Sequence, residues 1–160
     1  MSKRSSSANV DDHTLANLLK PSSGNVDLSD TQKFLLGDEY EAYQWTSDIV
    51  GKYVALAIEL PQYRRAAETN SLIGSKFVTL SNENDVKHAF SMNTADTNPL
   101  HVYKILSYIT NLREKILNHA VGKLPTHFHV WSCAHLAGWL EYAHKVPSCA
   151  LVVLKNHVSG

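Results

Sequence analysis

Ten residues, Thr126-His-Phe-His-Val-Trp-Ser-Cys-Ala-His135, hold three histidines and a cysteine. Imidazole and thiolate are ligands of zinc, and several must converge at roughly 2.0–2.3 Å from the ion. The same groups serve covalent catalysis, where a histidine base activates a thiol. Which chemistry is open depends on the backbone that carries them. In a strand, alternate residues share a face, so His127, His129, Trp131, Cys133 and His135 would stand in one row. In a helix they separate. Phe128, Trp131, His135, Trp139 and Tyr142 form one stripe, and Val130, Cys133, Ala137, Leu140 and His144 form the next. Both stripes keep a spacing of three and four, and no turn residue interrupts 127–137. The spacing therefore predicts a helix over 127–144.

In that helix His129 and Cys133 stand four residues apart and can share a ligand. A full metal shell must also draw on His127, His144, His119 or Cys149. The chain has neither C-x-x-C nor H-E-x-x-H, the short spacings that mark zinc sites. A free thiol also packs as a small apolar residue, and Cys133 and His135 as half-buried core residues between aromatics is the simpler reading. The expectation is no cofactor, with zinc on His127, His129, Cys133 and His144 as the alternative. Catalysis has less support. No Gly-rich oxyanion turn flanks Cys133 or Cys149, and a mid-helix thiolate gains little from the helix N-terminus. There is no G-x-S-x-G, no phosphate loop and no dinucleotide fingerprint. A non-enzyme with no small-molecule substrate is expected.

A second constellation is basic and aromatic. On a helix over 98–122, the side opposite the apolar stripe carries His101, Lys104, Tyr108, Asn111, Lys115 and Asn118. Arg64 and Arg65 follow Tyr63 in a short helix before it. Lysine and arginine hold phosphates and a tyrosine ring stacks a base. Arg64, Arg65, His101, Lys104, Tyr108 and Lys115 are thus the candidate nucleic-acid face, competing with the plainer reading of a solvated helix side. Trp45, Tyr53, Trp131, Trp139 and Tyr142 read most simply as core, with a subunit interface as the alternative.

These residues must be positioned by the elements around them. At 160 residues, with 44% apolar and 19% charged side chains, the chain suits one domain that buries its own core. Residues 1–27 are rich in Ser, Asn, Asp and Gly and read as a flexible arm, with Leu15, Leu18 and Leu19 as its apolar exception. Ser29 or Asp30 caps a short helix that Gly37 ends. Asp38 and Glu39 open a longer one whose stripe is Ala42, Trp45, Ile49, Tyr53, Leu56 and Leu60, until Pro61 stops it. Residues 62–70 continue as a short helix. "SKFVTL", 75–80, reads as the one strand before the C-terminus. Ser81 or Asn82 caps the next helix. Asn98-Pro99 starts the longest one, with Val102, Ile105, Ile109, Leu112 and Ile116 at its centre. "CALVVL", 149–154, reads as a strand or extended tail.

The expected architecture is mainly α: a helical-bundle-like core over 28–146, the arm before it and the tail 147–160 after it. Residues 1–60 carry five Lys/Arg against nine Asp/Glu, and residues 61–160 ten against six. A chain polarised in this way can meet its own copies head to tail, or face nucleic-acid phosphates. No apolar run approaches the ~18 residues of a membrane span, so no membrane partner is expected. Two cysteines and no apolar signal segment suggest a reducing, intracellular, cytoplasmic setting. Arm, compact helical core and tail are similar in layout to coat proteins and nucleoproteins that polymerise along RNA. That likeness implies a structural protein that self-associates through arm and tail and can bind RNA along its basic face. A helical adaptor without nucleic acid and a small His/Cys metal-binding domain are the alternatives.

Overall fold

The computed structural model describes residues 38–93 and 97–160. The arm expected over 1–27 and the short helix expected before Gly37 lie outside the described residues. Among those described the fold is helical, with no strand.

Asp38 caps a 3-10 turn over Glu39–Gln44 by accepting from the Tyr40 N–H. The single helix expected from 38 to 60 is broken after this turn. Trp45 is extended (φ −60°, ψ 139°), and its carbonyl accepts from Gly74 N at 2.7 Å instead of from a helical neighbour. Thr46 then restarts the chain by capping helix α1, Ser47–Leu56. A 3-10 turn at Pro61–Tyr63 leads into α2, Arg64–Thr69.

The expected strand at 75–80 is instead a helical turn, α3, Gly74–Phe77. Strand pairing needs a partner, and there is no other strand among the described residues. A helical turn satisfies the backbone locally and buries both Phe77 and Val78. Asn82 caps α4, Glu83–Ala89, as its side chain accepts from Asp85 N at 2.9 Å. Asn98 and Pro99 start α5, Pro99–Gly122, at the expected place.

Helix α5 is the spine. Val102, Ile105, Ile109, Leu112 and Ile116 close the main cluster with Trp45, Tyr53, Phe77 and Phe90. Leu117 belongs to a second, smaller cluster with Ala137, Ala150, Val153 and Leu154. Arg113 reaches from α5 to the loop after α3, donating to the carbonyls of Val78 at 2.8 Å and Leu80 at 2.9 Å.

The second cluster is built by α6, Cys133–Tyr142, and α7, Pro147–Lys155. The tail expected to be extended over 147–160 is therefore mostly helix. Pro147 takes the first helical position, where its missing N–H costs nothing. Ala150, Val153 and Leu154 then share one buried face. Packing of that face overrides the β-preference of the valines. Tyr43 joins the two clusters. Its hydroxyl donates to the Leu154 carbonyl at 3.1 Å and lies 2.6 Å from His157 Nδ1.

Two predictions follow from these contacts. A Cβ added at Gly74 overlaps the Ala42 carbonyl oxygen and sits 2.8 Å from Trp45 N, whereas one added at Gly122 meets nothing within 4 Å. In denaturant titrations Gly74→Ala should lose about 3 kcal/mol, and Gly122→Ala should gain about 0.4–1 kcal/mol. Burial, reinforced by Cys133 alongside, pushes the Tyr43 phenol up to about 12. The unfolded chain ionises nearer pH 10, so it releases that proton first. The Tyr43 contribution should be intact below pH 10 and fall away between 10 and 12. Tyr43→Phe should flatten the stability-against-pH curve over that window.

Candidate functional site

Residues 126–144 do not form one helix. Phe128–Val130 is a single 3-10 turn, and α6 begins only at Cys133. The reason is Ser132. Its hydroxyl accepts from His135 N at 3.3 Å, while His135 Nδ1 accepts from Ser132 N at 3.1 Å. This reciprocal cap satisfies two N–H groups and ends helix propagation toward residue 127. Burial pushes the His135 imidazole below its ordinary range, in keeping with its role as a neutral acceptor.

The cap separates the residues that could have held a metal. His129 lies in the turn and Cys133 opens the helix, so the four-residue helical relation between them is lost. The rings of His127 and His129 stack at 5.6 Å. His144 lies against Trp139, with ring centres 4.0 Å apart. Cys133 packs on the second cluster beside Tyr43. His119 stacks on Tyr40 at 4.3 Å, and Cys149 is exposed on α7. Among the described residues, no three His, Cys, Asp or Glu side chains gather as metal ligands.

The basic face is assembled differently from an open phosphate track. Lys104 Nζ lies 3.2 Å from Glu59, and Lys115 Nζ lies 2.7 Å from Glu39. Arg64 is 3.0 Å from Glu68 and 3.9 Å from Asp48. His101 Nδ1 is 3.0 Å from the Tyr63 hydroxyl. Tyr108 is half-buried against the main cluster. Arg65 is exposed and forms no ion pair among the described residues. The charge asymmetry seen along the chain is thus partly closed within the fold, since Glu39, Asp48 and Glu59 come from its acidic part.

What the segment does build is an aromatic row on the surface. Phe128 meets Trp131 at 5.0 Å, Trp131 meets Trp139 at 5.8 Å, and Trp139 meets His144. Trp131 is fixed by donating from its indole N–H to the Pro125 carbonyl at 2.8 Å. Phe128 and Val130 are 53% and 55% exposed, which places the start of the row in solvent. Trp131 and Trp139 are half-buried, and Tyr142 is exposed. These three were expected in the core, and only Trp45 and Tyr53 are found there, at 4% and 3% exposure.

Gly138 marks where α6 approaches α5 most closely. An added Cβ there would lie 2.6 Å from Val121 Cγ2 and 2.8 Å from the Leu117 carbonyl oxygen. Backbones this close leave no room for a large side chain between the helices at this position. The signal legible in the sequence was Ser132, a capping residue three before a polar side chain. No helix among the described residues is long and apolar enough to cross a membrane. Compared with protein-family models, curated proteins and solved structures, the chain matches none.

The exposure difference among the three tryptophans is measurable. In dilute protein, iodide should quench one accessible and one shielded class of emission. Trp131→Phe with Trp139→Phe should remove the accessible class and leave only the shielded emission of Trp45.

Proposed function

We propose that this chain is a non-enzymatic structural protein that assembles with its own copies, the N-terminal arm of one copy docking on the aromatic row of the next. The observation that carries this reading is the row itself: Phe128, Trp131 and Trp139 in ring contact at the surface. Large aromatic rings dominate protein interfaces because they bury much area at low entropic cost. Phe128 and Val130 are exposed and adjoin the half-buried Trp131 and Trp139, and an apolar patch on a polar domain marks a binding surface.

The occupant is argued from the rest of the chain. Residues 12–20, "DHTLANLLK", place Leu15, Leu18 and Leu19 at helical spacing, the anchor pattern of a helix laid in a groove. The described chain starts at Asp38, and Tyr43 in its first turn packs on the same second cluster as Cys133, which opens α6. Tyr40 stacks on His119, within one turn of the Leu117 and Val121 positions on which α6 rests. Residues 21–37 span up to about 60 Å when extended, enough to reach a neighbouring copy.

RNA along the Arg64, Lys104 and Lys115 face has less support. Each surface ion pair there contributes at most about 1 kcal/mol, so phosphate could displace it. The carboxylates of Asp48, Glu39 and Glu59 would nevertheless remain beside the bound phosphates and repel them. Assembly is the part of the reading that the packing favours.

Light scattering on the full chain across a wide range of concentrations tests this. Mass should rise with concentration for the wild type. It should stay monomeric for Trp131→Ser with Trp139→Ser, and for Leu15→Ser with Leu18→Ser and Leu19→Ser. A wild type that is monomeric throughout, or variants that assemble like it, would refute the proposal; the former would favour an adaptor whose partner is another protein.

A further inference from the structure

The aromatic row has ends of unlike charge. From Lys115 to Leu140 the chain holds no Asp or Glu. The Phe128 end of the row lies in this stretch, flanked by the exposed His127 and His129 and preceded by the exposed Lys123. Glu39, which comes alongside α5 from the first turn, is already paired with Lys115. The other end differs. Glu141 lies in the last turn of α6 and lines a cleft of about 400 Å³ with Glu114 and Tyr142. Tyr142 stands one helical turn beyond Trp139. Burial, and then the charges of Glu141 and Glu114, push its phenol up, so both carboxylates lie near it. Neither carboxylate forms an ion pair among the described residues. Of the cations at this end, Arg113 is half-buried and held by the carbonyls of Val78 and Leu80, and Lys145 lies beyond the last turn of α6.

Helix α6 adds to this polarity. The ring contacts run from Phe128 in the turn before α6, through Trp139 within it, to His144 after it. A helix is partly positive at its N-terminus and partly negative at its C-terminus. An anion is therefore favoured at the Phe128 end and a cation at the Tyr142 end. The arm segment offered as the occupant has the matching order. Asp11 and Asp12 precede its leucines, and Lys20 follows them. Asp12 and Lys20 are eight residues apart, about 12 Å on a helix. Cys133 and Glu141, near the two ends of α6, are also eight residues apart.

We infer that the arm docks in one direction, parallel to α6 of the neighbouring copy, with Asp11 and Asp12 over the histidine turn and Lys20 at Glu141. This rests on the assembly reading and adds the polarity of its contact. Leu15, Leu18 and Leu19 supply apolar contact that either direction would bury. The reverse direction would set Asp11 and Asp12 beside Glu141 and Glu114, and Lys20 beside Lys123. Like charges juxtaposed at an interface are costly, so the charges at the ends of the row select the direction. A single direction gives each copy one geometry toward the next, as an ordered array requires.

Charge exchange in the full chain tests the direction, with the assembly midpoint concentration read by light scattering at low salt. Lys20→Glu and Glu141→Lys should each raise the midpoint about tenfold. Combined in one chain, the two changes restore opposite charges across the contact and should return the midpoint to within about twofold of wild type. Asp11→Lys with Asp12→Lys should also weaken assembly. Lys76→Glu, which makes the same change of net charge as Lys20→Glu, should leave the midpoint where it is. Each variant should keep the wild-type circular dichroism. A wild type that stays monomeric would overturn the assembly reading and this inference with it. A wild type that assembles, with single variants that match it or tighten, or with a double variant no better than either single, would overturn the direction alone.

Discussion

One side of a single 24-residue helix organises this molecule. The apolar stripe of α5 is buried along its whole length, from Val102 to Ala120. Each fully buried aliphatic side chain on it contributes roughly 1.5–3 kcal/mol. An exposed ion pair such as Lys104–Glu59 contributes at most about 1 kcal/mol. Packing against α5 therefore decides where the other segments lie, and the charges adjust. Glu39 and Glu59 end up beside Lys115 and Lys104 because the segments that carry them cover the α5 stripe.

The two ends of that stripe are packed in different ways. Large side chains close the first cluster: Trp45, Tyr53, Phe77 and Phe90. The second is closed by Leu117, Ala137, Ala150, Val153 and Leu154, with Gly138 against the backbone of α5. Small residues there bring α6 and α5 into close contact. Trp139, the residue after Gly138, is half-buried rather than in the core. Trp131 and Trp139 are turned out, and the Phe128 turn continues their row. The surface proposed for assembly adjoins this second cluster, since Trp139 lies on α6.

What the sequence made legible was local. Asn98-Pro99 and the three-four spacing after it located α5, and Asn82 located α4, because a cap and a periodic stripe both act within a few residues. The segments at 75–80 and 149–154 were rich in β-formers, yet the first forms a helical turn and the second a helix. Strand preference has force only where a neighbouring strand supplies hydrogen bonds, and composition cannot show whether one will. The helix expected over 127–144 was shortened by one cap at Ser132, whose side chain competes directly for the backbone. The pairings that define the surfaces were not legible at all. Lys115 and Glu39 are 76 residues apart, and Tyr43 and His157, whose side chains lie 2.6 Å apart, are separated by 114.

The central claim is that copies of this chain meet at the aromatic row. Hydrogen–deuterium exchange on the full chain, at low and at high protein concentration, reports on it directly. The account predicts that protection rises with concentration at residues 12–20 and 126–144 together, while α4 is unchanged. Protection that is independent of concentration at both segments, or that rises only elsewhere, would contradict it.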